Sequence, residues 1–137
     1  MLIQVSGKRS NLLGWLGRHV LIGPVDGHGA TVEQKQDNRL AQGMTLGIDA
    51  TVRYAVNKWT EPLTTADLEV DSPYNTRKLT GLPPTPICNP GEATLQAALE
   101  PADGDWLYYV LKDTTGNHFF TASYDEFLQA KENQPGP

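Results

Sequence analysis

The side chains in this sequence that could do chemistry are a small polar set with amide, phenol, carboxylate and imidazole groups. Amides, phenols and carboxylates are the groups with which proteins bind the hydroxyl and acetamido groups of sugars. Most of the set lies near predicted turns and helix ends, where functional residues concentrate. Its members are Asn38, Asp49, Tyr74, Asn75, Asn89 and His118.

Each of these residues also has a purely structural role open to it. Asp49 and Asn89 can cap helices and do nothing more. Asn38 can be an ordinary exposed residue on a helix. His118 can be structural, since it has no histidine partner at a useful spacing. The residue types alone leave these alternatives open.

Other common chemistries find no support in the sequence. It contains no glycine-rich phosphate loop between a strand and a helix. His19, His28 and His118 lack the paired spacing of a metal site, and the single cysteine, Cys88, excludes an internal disulfide and a cysteine metal site. Cys88 also has no nearby histidine and is interpreted as a packed side chain. We therefore expect neither a metal nor a cofactor.

A proline-dense stretch between residues 72 and 91 carries three of the candidates. Prolines fix the backbone in extended conformations, so an ordered loop of this kind can hold polar side chains in the fixed geometry that a substrate cleft needs. The alternative is a rigid linker of polyproline type.

Length and composition indicate one soluble globular domain. The chain has 137 residues, and its net charge of −5 argues against a nucleic-acid partner, which would require a basic face. The longest apolar stretch, residues 12–23, is broken by Arg18 and His19 and is too short for a membrane helix. The first 23 residues resemble an export signal only weakly, because glycines and an arginine interrupt the apolar part.

The elements that must position the candidates are short. A helix is predicted over residues 32–42, with Gly43 at its C-terminal end. A second covers residues 50–56 with Asp49 as its N-cap. Thr64 caps a brief third helix, with an acidic residue three positions on.

The second half predicts one more helix, a hairpin and a final helix. The helix starts at Asn89 and stops before Pro101. Strands are predicted over residues 106–112 and 117–121, and a capping box at Ser123 opens the last helix. The fold class is therefore α+β, with short helices, a β-hairpin near the C-terminus and a long Pro-rich cleft loop.

Several motifs follow one another along the chain. They are Asn38-Arg39-Leu40, Ser72-Pro73-Tyr74-Asn75-Thr76, Gly81-Leu82-Pro83-Pro84, Asn89-Pro90-Gly91 and Tyr108-Tyr109-Val110. In this order and spacing they resemble the C-terminal part of the catalytic domain of the YceG-like endolytic murein transglycosylases. The resemblance implies a partial domain of this family over residues 32–133. Residues 1–31 would be an atypical N-terminal segment, either disordered or foreign, and residues 134–137 a tail.

The resemblance further implies a lyase that cuts peptidoglycan between MurNAc and GlcNAc and leaves 1,6-anhydro-muramyl ends. The partners would be peptidoglycan glycan strands and possible wall-synthesis proteins, with no cofactor and no nucleic acid. Family members are membrane-anchored and face the cell wall. This chain shows no anchor, so by the resemblance it belongs on the wall side, or in the cytoplasm if it is untargeted.

This sequence departs from the family pattern at the residue that acts as the catalytic acid. The family's catalytic glutamate lies in a Val-Glu-Lys-Glu helix that would fall near Val20, yet residues 1–31 contain no glutamate. Glu33 is the only nearby substitute and lies too close to Asn38 to be the same residue. We therefore expect a truncated or frame-disrupted transglycosylase with little or no activity. The alternative is a non-catalytic peptidoglycan-binding or interaction module that retains the cleft.

Overall fold

Short helices and one hairpin make up the described part of the chain, as the α+β prediction required. The computed structural model describes residues 29–87 and 92–134. Five helices and two strands lie within these ranges. In chain order they are α1 (Gly29–Ala41), α2 (Asp49–Val56), α3 (Thr65–Leu68), α4 (Glu92–Leu99), β1 (Tyr108–Leu111), β2 (His118–Thr121) and α5 (Tyr124–Glu132).

The described residues divide into two compact units. We call residues 43–87 the loop unit, because α2, α3 and the Pro-rich segment lie in it. We call residues 29–42 with 92–134 the hairpin unit, because α1 and α4 accompany the hairpin and α5 there. Each unit is described by itself.

In the loop unit, α2 begins one residue earlier than the sequence predicted, and its cap differs. Asp49 is the first helical residue, whereas Ile48 is at the N-cap position and makes no side-chain cap hydrogen bond. The prediction that Asp49 caps this helix was therefore wrong. The physical reason is that a hydrogen bond from the backbone N–H of Ile48 to the Thr76 hydroxyl (3.0 Å) fixes the chain just before the helix.

The cap predicted for α3 is confirmed. The Thr64 hydroxyl accepts from the N–H of Asp67, and the Asp67 carboxylate accepts from the N–H of Thr64, which is a complete capping box. Lys58 reaches the same carboxylate at 2.9 Å. The hydrogen bonds from Thr64 and the Lys58 ammonium lower the pKa of Asp67 to about 2. This carboxylate therefore stays ionised and ties the end of α2 to α3.

The hairpin unit is built on α1, which packs against α4. The predicted helix over residues 32–42 is confirmed, although it starts three residues earlier, at Gly29. Gly43 follows its end with φ +67°, a conformation that favours glycine, as the sequence predicted. Val32 of α1 and Ala98 of α4 are 1% and 0% exposed, so each helix contributes an apolar residue to the core.

The hairpin has the predicted position but shorter strands. β1 and β2 are antiparallel, with Tyr108 opposite Thr121 and Leu111 opposite His118. The turn between them is held by Asp113, whose carboxylate accepts from the backbone N–H and the hydroxyl of Thr115. Beside the turn, the N–H of Lys112 still donates to the carbonyl oxygen of Asn117 (2.7 Å), and each strand has four residues.

Only half of the capping box predicted for α5 is present. The Ser123 hydroxyl accepts from the N–H of Glu126 as expected. The Glu126 carboxylate does not return to the N–H of Ser123; it accepts from the hydroxyl of Thr121, and that hydroxyl accepts from the Ser123 N–H (2.9 Å). Thr121 therefore stands between the two partners of the expected box.

Some sequence predictions fall outside the described residues. They concern Asn89 and Pro90 at the start of the fourth helix, Cys88, and most of the segment before residue 32. The helix itself is observed from Glu92. In the described part of the chain, no helix combines the length and the apolar character needed to cross a membrane.

Candidate functional site

Two candidate residues of the loop unit, Tyr74 and Asn75, lie on the segment that follows α3. Asn75 is 0% exposed. Its amide nitrogen donates to the carbonyl oxygens of Leu68 (3.0 Å) and Val70 (2.9 Å), and its amide oxygen accepts from the N–H of Arg77 (3.1 Å). Both amide hydrogens and the carbonyl are thus used inside the loop, and Asn75 acts as a brace for it.

Thr76 joins this segment to the start of α2. Its carbonyl oxygen accepts from the N–H of Gly47 (2.8 Å). Its hydroxyl accepts from the N–H of Ile48 and lies 2.8 Å from the hydroxyl of Thr51. Thr76 and Thr51 are 2% and 0% exposed, so these bonds are shielded from competing water. The loop is therefore anchored before any ligand arrives.

Tyr74 is the candidate that this anchoring presents at the surface of the loop. Its ring lies 4.9 Å from the ring of Tyr54, centroid to centroid, at a tilt of 54°. Its hydroxyl is 2.8 Å from the hydroxyl of Thr85 in an exposed hydrogen bond. Tyr54 is itself 41% exposed. The two rings and two hydroxyls form a surface of the composition that stacks on sugar rings and bonds their hydroxyls.

Asp49 is exposed in the same unit. Its carboxylate pairs with Arg77 at 2.8 Å, and its side chain is 60% exposed. An exposed pair of this kind contributes little to stability, about 0–1 kcal/mol. Asp49 therefore remains accessible to a ligand, whereas Asn75 does not.

In the hairpin unit, Asn38 has its own fixed partners. Its amide nitrogen donates to the carbonyl oxygens of Gly104 (2.9 Å) and Trp106 (3.0 Å), and its oxygen accepts from Gln34 (2.8 Å). A Cβ at Gly104 would lie 2.4 Å from the Trp106 ring, so this close approach requires glycine. Asn38 thus ties α1 to the segment that leads into β1.

Glu33, the candidate substitute acid, lies on the buried side of α1. It is 2% exposed, and Lys35 and Gln36 on the same helix are each 5% exposed. This helix therefore buries a run of polar residues. A general acid must come within hydrogen-bonding reach of its substrate, and a carboxyl group with this burial does not face solvent.

Lys35 has an unusual environment for a lysine. Its ammonium lies 4.7 Å from the centroid of the Tyr109 ring. Burial, together with the positive charge of Arg39, lowers the pKa of Lys35 to about 7. The ring of His118 is 5.4 Å from that of Tyr109, so His118 belongs to the same aromatic cluster.

The structure therefore sorts the predicted site residues. Tyr74 and Asp49 offer groups at the surface of the loop unit, and Asn75 braces the loop that carries Tyr74. Asn38 and His118 lie in the hairpin unit with internal contacts of their own. Asn89 lies outside the described residues.

Sequence reasoning missed Thr76 and Thr51 as the anchors of the loop. No local sequence pattern identifies them, because the two hydroxyl groups that meet belong to residues 25 positions apart in the chain. It also missed Lys35. The one sequence feature that could have pointed to Lys35 is the run of polar residues in which it lies, several of which are buried in the structure.

Comparison with known proteins assigns this chain to a family. The family model for the YceG-like family matches residues 31–133. The chain belongs to the YceG-like family. A Bacillus subtilis endolytic murein transglycosylase is 46% identical over 95 residues, which cover 69% of this chain and 26% of that protein.

Two further relatives agree with the YceG-like assignment. A Streptococcus pneumoniae (strain D39) endolytic murein transglycosylase is 29% identical over 94 residues, which cover 65% of this chain and 17% of that protein. The crystal structure of a YceG-like protein from Listeria monocytogenes superposes with a TM-score of 0.73 at 39% identity, covering 78% of this chain and 35% of that one. The chain thus spans about a quarter or less of the length of the curated relatives.

Replacing Thr76 tests the anchoring of the loop. Thr76→Val keeps the shape but leaves the N–H of Ile48 and the hydroxyl of Thr51 without this partner, so we expect the free energy of unfolding to fall by about 2–3 kcal/mol. Urea denaturation measures it. Thr80→Val, at an exposed position of the same segment, is the control and should change it by less than about 0.5 kcal/mol. Equal effects of the two variants would contradict the anchoring role.

Replacing Lys35 tests its burial. Its pKa is about 7 in the folded chain against an ordinary 10.5, so between these pH values the unfolded chain binds one more proton. Stability must then rise with pH by up to about 1.4 kcal/mol per unit. Lys35→Met should flatten this rise in urea unfolding at pH 7, 8 and 9. The exposed Lys78→Met should leave it unchanged; a Lys35→Met slope equal to the wild type contradicts the assignment.

Proposed function

We propose that the loop unit binds murein glycan strands in the manner of the substrate-binding part of an endolytic transglycosylase. The observation that carries the proposal is the Tyr74 ring, held on Tyr54 and bonded to Thr85, on a loop locked by buried hydrogen bonds. A ligand then finds the surface already formed, which lowers the entropic cost of binding. The names of the curated relatives supply the substrate class.

The candidate residues take different roles in this proposal. Tyr74 contacts the sugar through its ring and hydroxyl, and Asp49, exposed on the same unit, accepts from sugar hydroxyls. Asn75 and Asn38 hold backbone segments in place. His118 supports the aromatic cluster beside β1, and Asn89 remains a proposed contact on sequence grounds.

The proposed reaction of the complete family domain is glycan cleavage without water. One glutamate protonates the glycosidic oxygen and then takes the proton from the 6-hydroxyl of the same sugar, which leaves an anhydro-muramyl end. A hydrolase would instead need a second carboxylate to activate water or form a covalent intermediate.

For this chain we propose binding with little or no cleavage. Residues 1–31 contain no glutamate, and Glu33 is 2% exposed. A carboxyl group at that depth cannot reach a glycosidic oxygen on a bound strand. Because murein lies outside the cytoplasmic membrane, the proposed place of action is the wall side.

The second candidate function is a non-catalytic module that binds peptidoglycan or wall-synthesis proteins. The anchored loop favours it as well, because a preformed surface needs no catalytic group to bind. Product analysis separates the two: anhydro-muramyl ends indicate a transglycosylase, and binding without them indicates the module.

A co-sedimentation assay with insoluble peptidoglycan tests the proposed binding. Tyr74→Ala should weaken it about tenfold, because a stacked aromatic ring contributes about 1.4 kcal/mol. Tyr74→Phe keeps the ring and should lose only the hydroxyl contribution, about two- to fivefold. Leu79→Ala, at a half-exposed residue of the same unit, is the control and should bind as the wild type does.

The same samples are then analysed for soluble anhydro-muramyl products. We expect none above background from the wild type or from Glu33→Gln. Robust release that Glu33→Gln abolishes would contradict the claim of inactivity. Binding that is unchanged in Tyr74→Ala would contradict the assignment of the glycan surface to the loop unit.

A further inference from the structure

The hairpin unit contains a groove between the hairpin and α5 that the proposed glycan surface does not use. Its volume is about 410 Å³, within the range of small-ligand sites. We call it the hairpin–helix groove. Its lining residues are Val110, Lys112 and Phe119 of the hairpin side and Glu126, Gln129, Ala130 and Asn133 of the helix side.

The two walls of the groove follow from secondary-structure periods. Val110 and Phe119 are opposite each other in the hairpin register, and Lys112 is two residues beyond Val110, so all three belong to one face of the hairpin. Gln129 and Ala130 are spaced i+3 and i+4 from Glu126 on one face of α5, and Asn133 continues that face at the C-cap. These two faces lie opposite each other and form the walls of the groove.

Aromatic contacts hold the hairpin and helix together next to the groove. The ring of Tyr108 lies 5.4 Å from those of both Tyr124 and Phe127 at the start of α5. These large side chains fill the space between the two elements at that end. Toward the C-terminal end of the helix the facing residues are the smaller Ala130 and the polar Asn133, so a groove remains.

The chemistry of the groove is mixed. Val110, Phe119 and Ala130 give it an apolar floor, whereas Lys112 and Glu126 bring one positive and one negative charge. Lys112 is exposed and thus available to a ligand. The Glu126 carboxylate is oriented by the hydroxyl of Thr121, which leaves its second oxygen as an acceptor.

Amide groups complete the polar side of the groove. Asn133 is the C-cap of α5, one turn beyond Gln129, and its side chain donates to the backbone carbonyl oxygen of Gln129 (2.9 Å). Amides bond the backbone groups of an extended peptide as donors and as acceptors. A neutral glycan would leave both the ammonium and the carboxylate without a partner of opposite charge.

We propose that the hairpin–helix groove binds the short peptide that branches from murein glycan. A peptide with free carboxylates and a free amine complements Lys112 and Glu126, and its small apolar side chains fit the floor. The proposal rests on the proposed function for the identity of the polymer, but it concerns a different surface. Peptide and glycan are then held by separate units of the chain.

The test is an NMR titration of the ¹⁵N-labelled chain with a glycan-free stem peptide that carries free carboxylates and a free amine. We expect amide shifts that map to the groove, including those of Lys112, Phe119 and Ala130. The same peptide with its amine acetylated and its carboxylates amidated should bind at least about fivefold more weakly, because both charge contacts are lost.

Matched variants show whether the charges of Lys112 and Glu126 contribute to peptide binding. Lys112→Met should weaken binding of the charged peptide by about three- to tenfold, whereas Lys131→Met, which removes the same charge from α5 outside the groove, should not change it. Glu126→Gln keeps the hydrogen bond to Thr121 and should weaken binding likewise, with Glu132→Gln as its control.

The outcomes separate this proposal from the proposed function. Shifts outside the groove, equal affinity for the neutralised peptide, or equal effects of Lys112→Met and Lys131→Met would overturn the peptide site. None of these outcomes depends on glycan binding. Conversely, loss of glycan co-sedimentation with intact peptide binding would overturn the glycan surface alone.

Discussion

The arrangement of the loop unit depends on the buried hydrogen bonds of one threonine. Thr76 accepts from the backbone N–H groups of Gly47 and Ile48, and its hydroxyl also meets that of Thr51. Leaving such donors unpaired in the interior costs more than the bonds themselves contribute, so the segment cannot move away without disrupting the start of α2. This constraint holds Tyr74 at the surface of the unit.

In the hairpin unit, several polar residues of α1 are buried, and each needs a partner that offsets the loss of water. Asn38 satisfies two backbone carbonyl groups of the segment that leads into β1. Lys35 is accommodated over the ring of Tyr109 and by a pKa near neutrality, which removes much of the cost of a buried charge. Specific partners thus allow polar residues of α1 to lie in contacts within the unit.

Local signals in the sequence predicted most of the elements, and long-range partners explain the failures. The Thr64 cap and Gly43 depend on neighbours within a few residues, and both predictions are confirmed. The Asp49 cap was wrong because a residue 28 positions beyond Ile48, across the loop, fixes where α2 begins. Asn75 could be recognised as important from its motif, but its burial depends on carbonyl groups that no local pattern reveals.

The most direct test of the account is hydrogen–deuterium exchange with and without soluble glycan strands, read by NMR. The amides of Gly47 and Ile48 should exchange slowly already in the free chain, because Thr76 holds them. Glycan should then add protection to residues 72–87 without changing those two amides. Rapid exchange of Gly47 and Ile48 in the free chain, with protection only after glycan is added, would show that the surface is not preformed and would contradict the account.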